Sequence, residues 1–392
     1  MCYAIPGKVV DIKGNLVVVD YFGEKKKARN EFFELKIGEY IYAQGGFVVQ
    51  KVEEKDAISI LETWKEIFIK LKEVDLRLAR ETKTLYQIAN AKRQKYLGNS
   101  CCVHGIIEFS NYCKNDCLFC GIRKSNNKII RYRMEIDEIV SACEYATNEL
   151  KFKALVLQSG EDPWYTEEKL VEMVRRIREK CAILLVLSIG ERSVDTYKKL
   201  YDEGARGVLL RFETGKKDLY KRLKPDSDLD ERLELIRNLY KIGYMIFTGF
   251  LIGLPGQSEQ DIIDDINLTW KLNAEMFSFG PFIPHPETPL KGQPKPSIEM
   301  VLNTIARARI LYPNSKIVVT TALETLDKKD GARQGLLAGA NSLMINVTPE
   351  KYRHLYEIYP DRAGSDTNVK DRIKEVLTLL YSLGRAPTDL GV

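Results

Sequence analysis

Between residues 105 and 346 the chain repeats one pattern eight times: a short apolar run, often β-branched, then a longer stretch with helical apolar spacing. The candidate strands are 105–110, 154–158, 184–188, 207–211, 246–252, 276–280, 317–320 and 342–346. Helical stretches such as 135–150, 167–179 and 260–272 lie between them. Strands separated by helices pair in parallel, because each return needs a crossover. Eight such units predict an α/β fold of the (β/α)8 barrel type, with its chemistry gathered at the C-terminal ends of the strands.

Ahead of this pattern, residues 1–53 hold short β-branched runs punctuated by glycines, which predicts a separate small β-barrel of the OB-like kind. Residues 54–97 turn helical, with Ile58, Leu61, Trp64, Ile67, Leu71 and Leu76 near helical spacing, and read as a linker. The large barrel then occupies 98–392, and the small domain is expected to detach without unfolding it. Sixty Lys+Arg against 55 Asp+Glu leave a net charge of +5, too balanced to suggest a nucleic-acid partner. Lys25-Lys26-Lys27 reads as a solvated hairpin tip. Neither a membrane-spanning run nor a signal peptide is visible, so a cytoplasmic location without a membrane partner is expected.

The first candidate strand runs directly into Cys113-Lys114-Asn115-Asp116-Cys117-Leu118-Phe119-Cys120. Three thiolates at C-x3-C-x2-C spacing can wrap one corner of a 4Fe-4S cluster, which normally takes four. The remaining iron is left for a small molecule, the arrangement by which radical S-adenosylmethionine (SAM) enzymes chelate their cosubstrate. A zinc site would favour a second C-x2-C or a histidine pair, yet the three histidines, His104, His285 and His354, are far apart. A disulfide framework does not suit eight cysteines in 392 residues without a secretory signal. Cys101, Cys102, Cys143 and Cys181 read as small apolar core or helix residues.

Other strand ends carry charge. Gln158-Ser159-Gly160-Glu161-Asp162 follows the second strand, where Glu161 offers either an acceptor for an ammonium group or a helix cap. Alternation puts Arg211 and Glu213 on one side of the fourth strand, as a zwitterion clamp or a structural ion pair. Arg232 opens the next helical segment and by itself reads as a surface residue. Pro281, Pro284 and Pro286 stiffen a loop over the barrel mouth, with His285 as a bystander. Thr320, Thr321, Asn346, Thr348, Tyr352 and Tyr356 are polar groups near the last two strand ends, suited to a polar anionic ligand.

Residues 85–383 closely resemble the radical SAM maturases of iron–iron hydrogenase, the HydE type. The resemblance rests on Ile107-Glu-Phe-Ser-Asn111, the three cysteines, Arg131-Tyr-Arg-Met134, Leu157-Gln-Ser-Gly-Glu-Asp-Pro163, Gly253-Leu-Pro-Gly-Gln257, Gly280-Pro-Phe-Ile-Pro-His-Pro286 and Thr320-Thr-Ala322. It implies a 4Fe-4S cluster on Cys113, Cys117 and Cys120, and SAM contacts at Glu161, Arg211, Glu213 and Arg232. It also implies a substrate pocket near Thr320, Thr321, Tyr352 and Tyr356, and a substrate linked to cysteine-bearing organometallic iron. Methylornithine synthase and biotin synthase look like more distant relatives. The opening Met1-Cys2-Tyr3-Ala4-Ile5-Pro6-Gly7 is similar to the HypC hydrogenase assembly chaperones, in which the N-terminal cysteine holds an iron fragment.

The chain departs from those families in three places. Residues 359–381 lack the cysteines of an auxiliary cluster, so none is expected. Gln44 stands where HypC proteins carry histidine, and an amide cannot act as an imidazole ligand. Phe212 replaces a histidine typical of the maturases. The expected activity is reductive cleavage of SAM to a 5′-deoxyadenosyl radical that acts on a small cysteine- or iron-linked substrate, in maturation of a hydrogenase-type metal cofactor. That activity needs an external electron donor, and its partners would be hydrogenase-assembly proteins. Two alternatives are a radical SAM mutase or carbon–sulfur bond-forming enzyme, and a non-catalytic carrier of an iron fragment.

Overall fold

The computed structural model describes residues 3–391. Cys2, the expected iron-fragment ligand, lies outside them. Strands β1 (Gly7–Lys13), β2 (Leu16–Tyr21), β3 (Glu24–Arg29), β4 (Tyr40–Gln44) and β5 (Phe47–Val52) close into a small barrel in the order β1-β2-β3-β5-β4. Strand alternation turns Val17, Val19 and Tyr21 of β2 inward, against Val9, Ile41, Ala43 and Val48. Gly7 is required at the closure, because a Cβ there would fall 2.3 Å from Val19 Cγ1. Lys25 to Lys27 lie within β3, so the hairpin tip is Phe22-Gly23 instead.

The stretch expected to be a linker is built into both cores. Helix α1 (Glu54–Leu78) buries Trp64, Phe68 and Leu71 against the small barrel, with the Phe68 ring edge-on to Tyr3 at 4.8 Å. Helix α2 (Leu85–Leu97) starts on a Thr84/Gln87 capping box and lies against the helix Ile298–Leu311, where Tyr86 Oη donates to Asn303. Arg93 of α2 grips Asp75 of α1 through two bonds of 2.7 and 2.6 Å, and Arg385 Nε adds a third contact at 3.2 Å.

The large barrel comprises β6 (Ser100–Ser110), β7 (Ala154–Ser159), β8 (Leu184–Ser188), β9 (Gly207–Leu209) and β10 (Met245–Thr248), followed after β11 (Leu251–Ile252) by β12 (Ala274–Phe277). After β13 (Gly280–Pro281) come β14 (Lys316–Ile317) and β15 (Ser342–Asn346). Eight parallel strands follow one another in the order β14-β12-β10-β9-β8-β7-β6-β15. The ring closes where Val318 bridges Ser342 and Val319 N donates to Ser342 O at 2.8 Å. This is the expected (β/α)8 architecture. The fifth strand is shorter than its apolar run, because the backbone breaks at Gly249, where a Cβ would meet Ser278 O at 2.2 Å. Beyond the break, β11 pairs with β13 above the mouth. A last strand, β16 (Ala386–Pro387), pairs with the start of β6.

The small barrel plugs the N-terminal end of the large one. Phe47 and Val49 are buried among Cys102, Ala154, Leu184, Met245 and Met276, which sit at or near the starts of β6, β7, β8, β10 and β12. A Cβ on Gly45 would strike Leu184 Cδ2 at 2.7 Å and Met245 Cε at 2.8 Å. Arg206 Nε donates to Glu31 across the same seam at 2.7 Å. The two barrels share an apolar core, which weighs against the expectation of a detachable module.

Candidate active site

β6 delivers the chain to the mouth of the barrel, where Asn111 turns it into the cysteine loop. The Asn111 side chain accepts from Tyr132 N at 2.8 Å and donates to Ile130 O and Leu355 O, each at 2.8 Å. Arg131 then gathers the loop from beneath. Its guanidinium donates to Ile122 O, Arg123 O and Asn126 O at 2.9, 2.6 and 3.1 Å, and also to Asn111 O. One planar fork with five donors holds carbonyls that a lysine could not span. Asp116 ties the outer turn through Arg123 and Ser125, and these bonds hold its carboxyl far below the usual range. Gly121 has no room for a Cβ, which would sit 2.1 Å from Glu357 O and 2.5 Å from the His285 ring. His285, read as a bystander, thus buttresses the loop.

The loop brings Cys113, Cys117 and Cys120 to one end of a cavity of about 310 Å³. Burial pushes the Cys117 thiol up to about 11, and pushes Cys113 and Cys120 up as well. Three half-buried thiols facing one cavity, each with a raised pKa, form a donor set that suits a metal cluster, which binds the thiolates and releases their protons. The cavity extends past Glu161, Arg211, Glu213 and Arg232 to Thr320, Thr321 and Tyr356. Ten of the eleven expected site residues therefore share one space. Tyr352 is the exception among these eleven. It stacks on Tyr132 at 4.8 Å and donates to Glu138 at 2.9 Å, away from the lining. Asn346 and Thr348, also offered as pocket groups, bond Glu108 instead of lining the cavity.

Electrostatics organise the middle of the cavity. Burial raises the Glu161 carboxyl, but Arg232, Lys224 and Lys114 outweigh it and hold the group below its ordinary value. Arg232, 3% exposed and not the surface residue its position suggested, lies 3.2 Å from Glu161 Oε1 and 2.7 Å from Glu191 Oε1. Glu161 Oε2 is buried without a hydrogen-bond partner and borders the cavity, an acceptor waiting for a donor. Gly190 makes room for that carboxylate, since its Cβ would lie 1.9 Å from Glu161 Cγ. Arg211 Nη2 donates to Glu213 Oε2 at 2.8 Å. Glu213 adopts a left-handed φ of 65°, held between Gly249 O and Leu251 N. A non-glycine residue there costs about 1–3 kcal/mol, the kind of strain that gathers at ligand clamps.

The inner end holds an ion pair and polar residues to which the sequence reading gave no role in the pocket, apart from Asn346 and Thr320. Glu108, fully buried, pairs with Arg362 and accepts from Asn346 Nδ2 at 2.8 Å. Arg362, Tyr359, Gln158 and Met344 line the cavity, with Lys224 and Asn115 near the cysteines. Thr320 Oγ1 is buried and unpaired at this end.

A closed parallel barrel with three cysteines on the loop after its first strand defines a radical SAM enzyme, and residues 107–269 match the Radical SAM superfamily. Residues 1–64 match the HupF/HypC family and 278–386 the Biotin and Thiamin Synthesis associated domain. The [FeFe] hydrogenase maturase subunit HydE of Thermotoga maritima is 38% identical over 303 residues, covering 77% of this chain and 86% of its own. The crystal structure of methylornithine synthase (PylB) superposes with a TM-score of 0.68 at 28% identity, covering 82% of this chain and 97% of its own. An uncharacterised protein of Methanocaldococcus jannaschii is 23% identical over 99% of this chain and 96% of its own, spanning both barrels. The chain belongs to the HydE family of radical SAM proteins, with a HypC-type domain fused at its N terminus. Its cofactors are a 4Fe-4S cluster and SAM, and the thiols, the Glu161 oxygen left without a hydrogen bond and the Gly190 cradle fit them.

Proposed function

We propose that the chain is a radical SAM enzyme of [FeFe] hydrogenase maturation, acting on a small cysteine- or iron-linked substrate. One observation carries this reading: the three thiols, the Glu161/Arg211/Glu213/Arg232 set and the inner polar pocket line a single cavity. When bound, the cluster supplies one electron that breaks a carbon–sulfur bond of SAM, giving methionine and a 5′-deoxyadenosyl radical. Cys113, Cys117 and Cys120 hold three irons. Glu161, kept anionic by Arg232, accepts from the SAM ammonium, and Arg211 and Glu213 orient the rest of the molecule. The substrate sits beyond, near Thr320, Thr321 and Tyr356, where the apolar lining keeps water from the radical.

The fused small barrel favours exchange with hydrogenase-assembly proteins, and a reducing cytoplasm with an external electron donor suits the cluster. Among the described residues no helix is long and apolar enough to cross a membrane. Gln44 is fully buried, and its amide nitrogen donates to Tyr3 O at 3.5 Å. It has no imidazole to offer an iron fragment, so docking is the better-supported role of this domain. The test is to add the reconstituted protein to a maturation mixture lacking its HydE component. Recovery of hydrogenase activity supports the reading, and activity staying at background while SAM is still cleaved argues for another substrate.

A further inference from the structure

We propose that Cys102, His104 and Asp389 bind one divalent transition-metal ion, of the zinc or iron(II) class, at the end of the barrel opposite the cysteine loop. Cys102 and His104 are two apart on β6, so alternation points both side chains the same way. That way is inward: Cys102 packs with Ile106 and Phe47, and the His104 ring stacks on Phe247. Asp389 arrives from the tail just beyond β16, which pairs with Ser100 and Cys101 of β6. One ligand atom from each residue lies within 4.8 Å of the other two. Ligands of a tetrahedral ion at ~2.0–2.3 Å sit about 3.3–3.7 Å apart, so side-chain rotation of about an ångström completes the site.

Chemistry favours a ligand here over a mere core cluster. All three residues are no more than 3% exposed. Asp389 Oδ2 accepts from Thr388 at 2.7 Å and lies 3.4 Å from His104 Nε2. His104 Nε2, the nitrogen facing Asp389, is the ligand atom, and the other ring nitrogen, Nδ1, is buried with no hydrogen-bond partner. A thiolate, a neutral imidazole and a carboxylate offer sulfur, nitrogen and oxygen, the mixed set that zinc and iron(II) accept, with a fourth position open. Their two negative charges cancel those of the ion. Lys316, the neighbouring cation, is already neutralised by Glu275 at 2.7 Å. On binding, the Cys102 thiol loses one proton to solvent for each ion taken up.

This site does not depend on the reading of the mouth cavity and can be tested with the cluster removed. The full chain carrying Cys113→Ala, Cys117→Ala and Cys120→Ala is stripped of metal and titrated with Co2+. One ion per chain is expected, with a thiolate-to-cobalt absorption band that Zn2+ abolishes. Adding Cys102→Ser should remove the band, and His104→Gln or Asp389→Asn should weaken binding about tenfold or more. Circular dichroism checks that each variant is folded. Should Cys102→Ser fail to fold, alkylation followed by mass spectrometry reads the same question in the parent. Cys102 should be protected by Zn2+ during slow thermal opening, while Cys101 is not. No cobalt uptake by the triple variant, an undiminished band in Cys102→Ser, or equal alkylation of Cys101 and Cys102 would overturn the proposal.

Discussion

Arg232→Met should be the most costly single change in the cavity wall. The guanidinium is 3% exposed and touches two carboxylates, Glu161 Oε1 at 3.2 Å and Glu191 Oε1 at 2.7 Å. Without it, the cations left near Glu161 are Lys224 and the half-exposed Lys114, whose Nζ is 3.7 Å away. Removing one partner of a buried ion pair costs about 3–5 kcal/mol, because the other charge stays buried and uncompensated. The effect has a pH signature. In the parent, the Glu161 carboxyl is held below its ordinary value, so its contribution to stability is present above the unfolded pKa and is lost as pH falls through the folded one. The variant lacks that contribution, so its deficit should shrink between about pH 5 and pH 3. Glu161→Gln added to Arg232→Met should recover about 1–2 kcal/mol, since no unpaired charge then remains at that position. Equilibrium urea unfolding of the metal-free chain, followed by tryptophan fluorescence, reads all three quantities. A deficit under about 1 kcal/mol, or one unchanged at pH 4, would refute the argument that Arg232 compensates this buried carboxylate.

Reconstitution should give about four irons per chain as one cluster, or about five where Cys102, His104 and Asp389 also take iron(II). Cys117→Ala should lose the cluster while Cys101→Ala, Cys143→Ala and Cys181→Ala keep it, and iron near eight would contradict this. Gly190→Ala should abolish SAM binding measured by calorimetry and leave the cluster spectrum intact, because the new methyl would overlap Glu161 Cγ at 1.9 Å. Burial raises Asp265 to about 7, although its Oδ1 accepts from Gly215 N at 2.7 Å in the loop that follows Glu213. Its folded pKa exceeds the unfolded one, so parent stability should fall as pH rises from about 4 through 7. Asp265→Asn should flatten that slope and gain at most about 4 kcal/mol at pH 8, and identical pH profiles in urea melts would disprove it. Deleting residues 1–53 should give an aggregating chain, because Leu184, Met245 and Met276 lose the cover of Phe47 and Val49. A soluble, SAM-cleaving product of that deletion would restore the detachable-module expectation.

The large barrel was legible because buried parallel strands leave continuous apolar runs such as Leu184–Ser188, which appears in the structure with those bounds. The cysteines were legible because eight adjacent residues carry their whole signal. The site was harder to see wherever it depends on distance. Glu108 and Arg362 are 254 residues apart and join only when the ring closes. Arg232 looked like a surface residue because a helical charge says nothing about a carboxylate 71 positions away. Tyr352 and Tyr356 share helical spacing, but the helix there ends at Arg353, so the two rings part. Phe47 and Val49 fit the pattern of a self-contained barrel. Only the three-dimensional seam shows that they serve the core of the other one.

The proposed chemistry turns on Cys113, Cys117 and Cys120 leaving one iron open to SAM. Its most direct test is electron paramagnetic resonance of the anaerobically reduced, reconstituted protein before and after SAM, with 5′-deoxyadenosine measured in the same tube. A reduced 4Fe-4S signal whose g values shift on adding SAM is expected, with 5′-deoxyadenosine and methionine formed in equal amounts. A cluster signal unchanged by SAM, with no 5′-deoxyadenosine, would contradict it.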